Sequence, residues 1–154
     1  MARSARRSRS RGQALVEFAL IVPVLVLGIF GIIDFGRYVH TQNSLNEASR
    51  EAARAGAVFY RTGECASQDR AACATTIARN RLIGVIGGGT VTVTCTRVSP
   101  LTKAMTTITP ASGCKVPDLL RVSVTNNFTL LTPVIAQFLG SQPLRGETQV
   151  TVQS

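Results

Sequence analysis

Between Ala14 and Ile33 the chain carries a single charged residue, Glu17. At 1.5 Å rise per residue such a run makes a helix of roughly 30 Å, the thickness of a bilayer's hydrocarbon core. A long apolar helix over residues 13–34, ending at Asp34, is therefore expected before anything else about the fold is decided. A carboxylate at the start of a membrane helix is costly and calls for a functional reason. Pro23 lies inside the run and frees the carbonyl of Ala19, which predicts a modest kink. Gly28 and Gly31 offer flat patches to another helix, though without the G-x-x-x-G spacing of a dimer motif.

Charge sets the orientation. Arg3, Arg6, Arg7, Arg9 and Arg11 precede the apolar run, and the first twelve residues hold no acid. Without them the 17 basic groups become 12 against 8 acids, and the net charge of +9 falls to +4. Basic flanks stay on the cytoplasmic side, so everything after Asp34 is expected outside. The Arg/Ser-rich composition of residues 1–11 predicts disorder. Nucleic-acid binding fits poorly, because this basic tail abuts a span and no interleaved aromatics follow. A cleaved secretory signal also fits poorly, because the apolar stretch is long and no small-x-small site follows it.

Beyond the span, Tyr38, Gln42, Leu45, Ser49, Ala52, Gly56 and Phe59 recur at spacings of four and three. Val39, Ala48, Ala53 and Ala55 widen the stripe, which predicts that the helix continues over residues 35–60, with Gly63 closing it. Glu47 with Arg50, and Glu51 with Arg54, stand at i,i+3 on the polar side. A seam of small residues suits packing on the chain's own domain and packing between subunits equally well.

Residues 61–154 read as one small extracytoplasmic domain of α+β class. A short helix is expected from an N-cap at Ser67 to about Ile83, with Asp69 and Arg70 in its first turn. Gly87-Gly88-Gly89 lacks the flanking features of a phosphate loop and reads as a turn. Residues 90–95, 120–125 and 147–153 alternate with period two and predict strands. The Pro/Thr/Ser/Gly stretch 99–117 is a loop or a hairpin excursion, so the antiparallel sheet has about three to four strands. A further short helix is expected from Val134 to Leu139, opened by Pro133 and closed by Gly140. Four cysteines outside a membrane read as two disulfides. Three pairings are possible, and loop lengths favour Cys65–Cys73 and Cys95–Cys114. A zinc site lacks C-x-x-C spacing, and the one histidine, His40, is distant in sequence.

The residues that carry chemistry lie at Gly12-Gln13-Ala14-Leu15-Val16-Glu17-Phe18. A basic leader ending in glycine, followed by Glu at the fifth position, an aromatic and an apolar helix, resembles the processing site of type IV prepilins. The longer string from Arg11 to Pro23 resembles TadE-like proteins, the minor pseudopilins of the tight-adherence (Flp) pilus system. So do Asp34-Phe35-Gly36-Arg37, the stretch Glu51 to Gly56, and the late strand–Thr132-Pro133–helix–strand ending. The resemblance implies cleavage between Gly12 and Gln13 by a membrane prepilin peptidase on the cytoplasmic side. It also implies a mature chain held in the bacterial inner membrane by its helix and assembled with other pilins and platform proteins. Gly12 suits a tight, extended protease cleft. The new α-amino group at Gln13 can pair with Glu17 of a neighbouring subunit and set axial register. Against this stands a solvated Glu17 that reaches the headgroups and pairs with Arg11 or a lipid amine. The large outer domain and Gln13 as first mature residue favour a minor or priming subunit over a bulk pilin.

The competing reading is an unprocessed, single-pass anchored protein whose outer domain binds an envelope partner. An enzyme is not expected, since Glu64, Asp69, Asp118 and Glu147 are scattered and read as solvated surface groups. No cofactor or metal is expected. Asn127-Phe128-Thr129 matches a glycosylation sequon and reads as a strand end. Tyr38 and Tyr60 flank the extended helix, and Tyr38 suits a membrane interface.

Overall fold

The computed structural model describes residues 5–58, 65–66, 68–132, 136–138 and 140–153, with backbone only for residues 5–11. The chain forms two compact units. One comprises Met1–Arg37 with Leu130–Gly140, the other Tyr38–Thr129 with Ser141–Ser154.

Helix α1 spans Ala5–Val58 and runs through Pro23. Over residues 5–11 this helix corrects the disorder expected of the leader; residues 1–4 lie outside the described residues. Ala5 and the arginines after it are strong helix formers, and extending an existing helix needs no new nucleus. The expected end at Gly63, with Phe59, Tyr60 and Glu64, lies outside the described residues. In the first unit the residues from Gly12 to Ile33 are exposed or at most half-buried, including Leu15, Phe18, Leu20 and Val24. Among the described residues nothing covers this surface, and the helix is long and apolar enough to cross a membrane.

In the second unit α1 packs on a four-stranded antiparallel sheet. β1 (Thr90–Val98), β2 (Met105–Ile108), β3 (Leu119–Phe128) and β4 (Gln142–Thr151) lie in the order β2-β1-β3-β4. The stretch 99–117 is thus the hairpin alternative: Val98 pairs with Met105 and Cys95 with Ile108. β4 begins five residues before the expected strand. Its early Pro143 is tolerated because β4 is an edge strand, where a missing N–H breaks no ladder. On β3 the residues Leu120, Val122, Val124, Asn126 and Phe128 are buried, the period-two pattern of a sheet with one covered face.

The seam of α1 supplies that cover. Thr41, Leu45, Ala48, Ser49, Ala52, Ala53, Gly56 and Ala57 are all buried. Small residues let the helix approach closely. A Cβ on Gly56 would lie 2.5 Å from Leu120 Cδ2, and one on Gly146 would overlap the Leu45 carbonyl and the Asn46 nitrogen. The Ser49 and Thr148 hydroxyls hydrogen-bond at 2.9 Å, Gln42 Nε2 donates to the Arg145 carbonyl, and Tyr38 meets Phe128 edge-on at 5.8 Å. The seam is therefore filled by the chain's own sheet, which decides between the two readings of the stripe.

Helix α2 spans Arg70–Arg81 and is capped by Asp69, whose carboxylate accepts from Ala72 N at 2.8 Å. Asp69 takes the N-cap place expected of Ser67, which lies outside the described residues; both residue types cap well, so propensity alone does not separate them. The Arg70 guanidinium reaches the Gly56 and Ala57 carbonyls at 3.0 and 2.9 Å, satisfying acceptors in the last turn of α1. Glu51 pairs with Arg81 of α2 at 2.5 Å, where i,i+3 spacing predicts Arg54. The glycine-rich turn leads into β1 and is held by Asn126 Nδ2, which donates to the Ile86 and Gly88 carbonyls. Asn127 is exposed within β3, in keeping with the strand-end reading of the sequon.

Disulfides join Cys65 to Cys73 and Cys95 to Cys114, with Cα separations of 5.1 and 5.7 Å. The second forms one end of the core with Leu120 and Val152. Beside it Asp118 is buried, which corrects its reading as a solvated group. Arg97 donates to it twice, at 2.7 Å each, and Lys115 N donates at 2.9 Å. The Arg97 hydrogen bonds hold the Asp118 carboxyl below its ordinary value of 3.8, against the opposing effect of burial. A lowered folded pKa contributes stability that is present above the unfolded value and lost as pH falls through the folded one. Asp118→Asn is therefore expected to destabilise the domain by about 1.5–3 kcal/mol at neutral pH. In paired urea unfolding curves that difference should shrink below about pH 4; a pH-independent gap would rule out this linkage. Glu147 is also engaged rather than free: Arg121 and Arg145 pair with it at 3.2 and 2.5 Å on the exposed sheet face.

Candidate functional site

The most constrained polar group in the first unit stands where the apolar run stops. Asp34 follows Ile33 and is 4 % exposed. Its Oδ1 accepts from Arg37 Nη1 at 3.0 Å, one helical turn on, and from Leu131 N at 2.9 Å. Oδ2 accepts from Thr132 N at 3.0 Å and Thr132 Oγ1 at 2.7 Å. A buried carboxylate is tolerable only when its lone pairs are met, and all four contacts are of hydrogen-bond quality. Two of them come from consecutive backbone amides, so the segment after β3 is bound to α1 by main chain as well as side chain. The segment then turns: Ala136 N donates to Thr132 O, residues 136–138 are helical, and Gly140 N donates to Ala136 O. The expected helix over 134–139 coincides with this turn where it is described; Pro133, Val134, Ile135 and Leu139 lie outside the described residues.

Sequence reasoning used Asp34 only as the end of the span. Two signals were present, the Asp34-Phe35-Gly36-Arg37 exit and the Thr132-Pro133 dipeptide, but nothing in a linear reading joins positions 98 residues apart.

The processing-type residues sit at the other end of the apolar stretch. Gly12, Gln13, Glu17 and Phe18 are consecutive turns of α1, and all four are exposed. Gly12 is helical here, and a Cβ built on it would meet nothing within 4 Å. Glu17 and Phe18 are both turned outward, so a carboxylate and an aromatic ring are presented on an otherwise largely apolar helix surface. Among the described residues no side chain pairs with this carboxylate.

Residues 12–54 match the family model described as TadE-like protein. This segment is TadE-like. The match begins at Gly12, runs through Glu17, Phe18, Pro23 and Asp34, and stops four residues before α1 ends. A TadE-like segment points to a protein associated with the Tad pilus. No curated protein and no solved structure matches the chain. The TadE-like segment thus supplies both the exposed apolar helix and Asp34, while the sheet that packs on its distal part lies beyond the match.

Two other clusters stand apart from the Asp34 contacts and from the Gly12 to Phe18 string. Cys95, Cys114 and Asp118 converge as a metal site would. However, the two sulfurs are bonded to each other and the carboxylate is engaged by Arg97, so the donors are already used. A shallow groove along the polar face of α1 is lined by Asn43, Glu47, Arg50, Glu51 and Arg54, with both signs of charge interleaved.

Proposed function

We propose that this chain is a membrane-anchored minor pilin or pseudopilin that takes part in assembling a Tad-type pilus. The observation that carries the reading is the coincidence of the family match with the physical layout of residues 12–34. A glycine ends a basic leader, a carboxylate stands five residues on, and an uncovered apolar helix long enough to cross a bilayer follows. In this reading a prepilin peptidase cuts between Gly12 and Gln13 on the cytoplasmic side. The freed α-amino group of Gln13 then pairs with Glu17 of a neighbouring subunit in a low-dielectric setting, where an unpaired carboxylate is costly. The helix remains in the inner membrane until lipid contacts are exchanged for contacts with other pilins. The role is structural, with the domain after Asp34 held on the extracytoplasmic side.

The helical state of Gly12 adds a requirement. A peptidase needs extended backbone, so the turn around the scissile bond must open before cleavage. Glycine is about 1 kcal/mol less favourable in a helix than alanine, which lowers the cost of opening this turn. The same observation favours the second reading, an anchored envelope protein that is never cut, if the turn stays closed.

N-terminal sequencing and intact mass of protein recovered from membranes, with and without the candidate peptidase, separate the two. The expected result is a peptidase-dependent start at Gln13, and retention of the leader in Gly12→Val. A start at Met1 or Ala2 in both samples would remove the processed-pilin mechanism and leave the uncleaved anchor.

A further inference from the structure

The segment that Asp34 binds has an unusual composition for a connection between two strands in water. Leu130 to Gly140 contains no charged residue, and seven of its eleven residues are Leu, Val, Ile, Ala or Phe. Of its described side chains, Leu131 is 55 % exposed and Phe138 is 85 % exposed. Thr132 is buried with its hydroxyl on Asp34, while Gln137 is exposed. Among the described side chains, a threonine hydroxyl is thus turned inward while two large apolar groups are left outward, an arrangement poorly suited to water.

Position identifies what covers them. Asp34 immediately follows the apolar run, and its contacts with Leu131 and Thr132 fix the segment at that level of the helix. Phe30, Ile33 and Phe35 of the same unit are also exposed around this level. Arg37 stands one turn beyond, within the Asp34 cluster, where headgroup phosphates would meet a cation.

We propose that Leu131 and Phe138, on the described parts of this segment, make a second membrane contact, an interfacial anchor seated among the headgroups and upper acyl chains of the bilayer crossed by α1. The proposal rests on the anchor reading above and extends it: the chain holds the membrane by a span and by a clamped apolar loop beside the span's outer end. Asp34 is then a positioning residue, turning its carboxylate from a liability at the membrane edge into the fastening for the loop.

The chain has no tryptophan, so one introduced ring reports alone. Full-length Phe138→Trp, Phe18→Trp and Leu101→Trp are reconstituted in phosphatidylcholine vesicles brominated at shallow or deep acyl positions. Phe18→Trp tests the span, and Leu101→Trp, at a 93 % exposed position between β1 and β2, serves as the aqueous control. The expected result is a blue-shifted Phe138→Trp emission quenched most by shallow bromines, with Phe18→Trp also quenched and Leu101→Trp untouched. If Phe18→Trp is quenched while Phe138→Trp behaves like Leu101→Trp, the interfacial anchor is overturned and the span stands. If Phe18→Trp is not quenched by any lipid, the anchor reading itself fails. A Phe138→Trp blue shift that grows with protein-to-lipid ratio without bromine quenching would also overturn the proposal, by placing another copy of the chain over the loop.

Discussion

Gly146→Ala is expected to produce the largest loss of stability in the outer domain. Gly146 lies on the covered face of β4, opposite Val124 of β3, and an added Cβ would overlap the Leu45 carbonyl group and the Asn46 nitrogen of α1. These are backbone atoms in mid-helix and cannot rotate away, so helix and sheet must separate locally. Overpacking of this kind costs typically 1–3 kcal/mol, and the absence of a yielding side chain puts the expected value near about 3 kcal/mol. For a domain of this size the melting temperature should fall by more than about 10 °C. Gly36→Ala is the control. It lies in the same helix with nothing within 4 Å of its Cβ, and a helical Gly→Ala change in open space is neutral or mildly stabilising. Thermal unfolding of the three proteins checks this; equal melting temperatures for Gly146→Ala and the parent would show that α1 and β4 are less closely apposed.

Asp34→Ala should act differently, with a large effect confined to one segment. Removing the carboxylate strands the amides of Leu131 and Thr132 and the Thr132 hydroxyl, each worth about 1–3 kcal/mol if left buried and unmet. These donors regain partners once the segment lifts off, so local detachment is the cheaper response. Amide exchange over residues 130–140 should accelerate to the rate of an open loop, and limited proteolysis should cut there. The unfolding transition of the sheet domain should move by less than about 2 °C, because none of the lost bonds lies in it. Thr132→Val removes one of the four contacts and should open the segment only partly. Unchanged exchange at Leu131 in Asp34→Ala would mean that packing rather than the carboxylate holds the loop.

Local periodicity and composition made some of this structure readable and left the rest hidden. The apolar run, the continuing helix, the α+β class and three of the four strands follow from patterns within single windows of sequence. β2 was less distinct because Met105-Thr106-Thr107-Ile108 is too short to show alternation and sits among threonines and prolines. The stripe from Tyr38 to Gly56 predicted a face to be covered without saying by what. Its cover is set by Gly146 and Thr148, about a hundred residues away. Asp118 looked like a surface acid because charge alone says nothing of the Arg97 that meets it across a strand. The processing-type string around Gly12 and Glu17 was legible because its residues are contiguous. The Asp34 clamp was not, because half of it comes from the far end of the chain.

The placement of β4 governs when the outer domain can form. Leu45, Ser49 and Ala57 near the start of the domain depend on Gly146, Thr148 and Gln153 at its end. β3, the central strand, lacks its second neighbour until β4 arrives. Synthesis runs from the N-terminus, so β4 is delivered after the helix and after β1 to β3. The small-residue face of the helix then waits incompletely covered until β4 is made, and contacts this distant in sequence form slowly even when the full chain is present. Folding is thereby ordered: the helix can form first, the disulfide-bearing middle follows, and β4 closes the sheet against the helix.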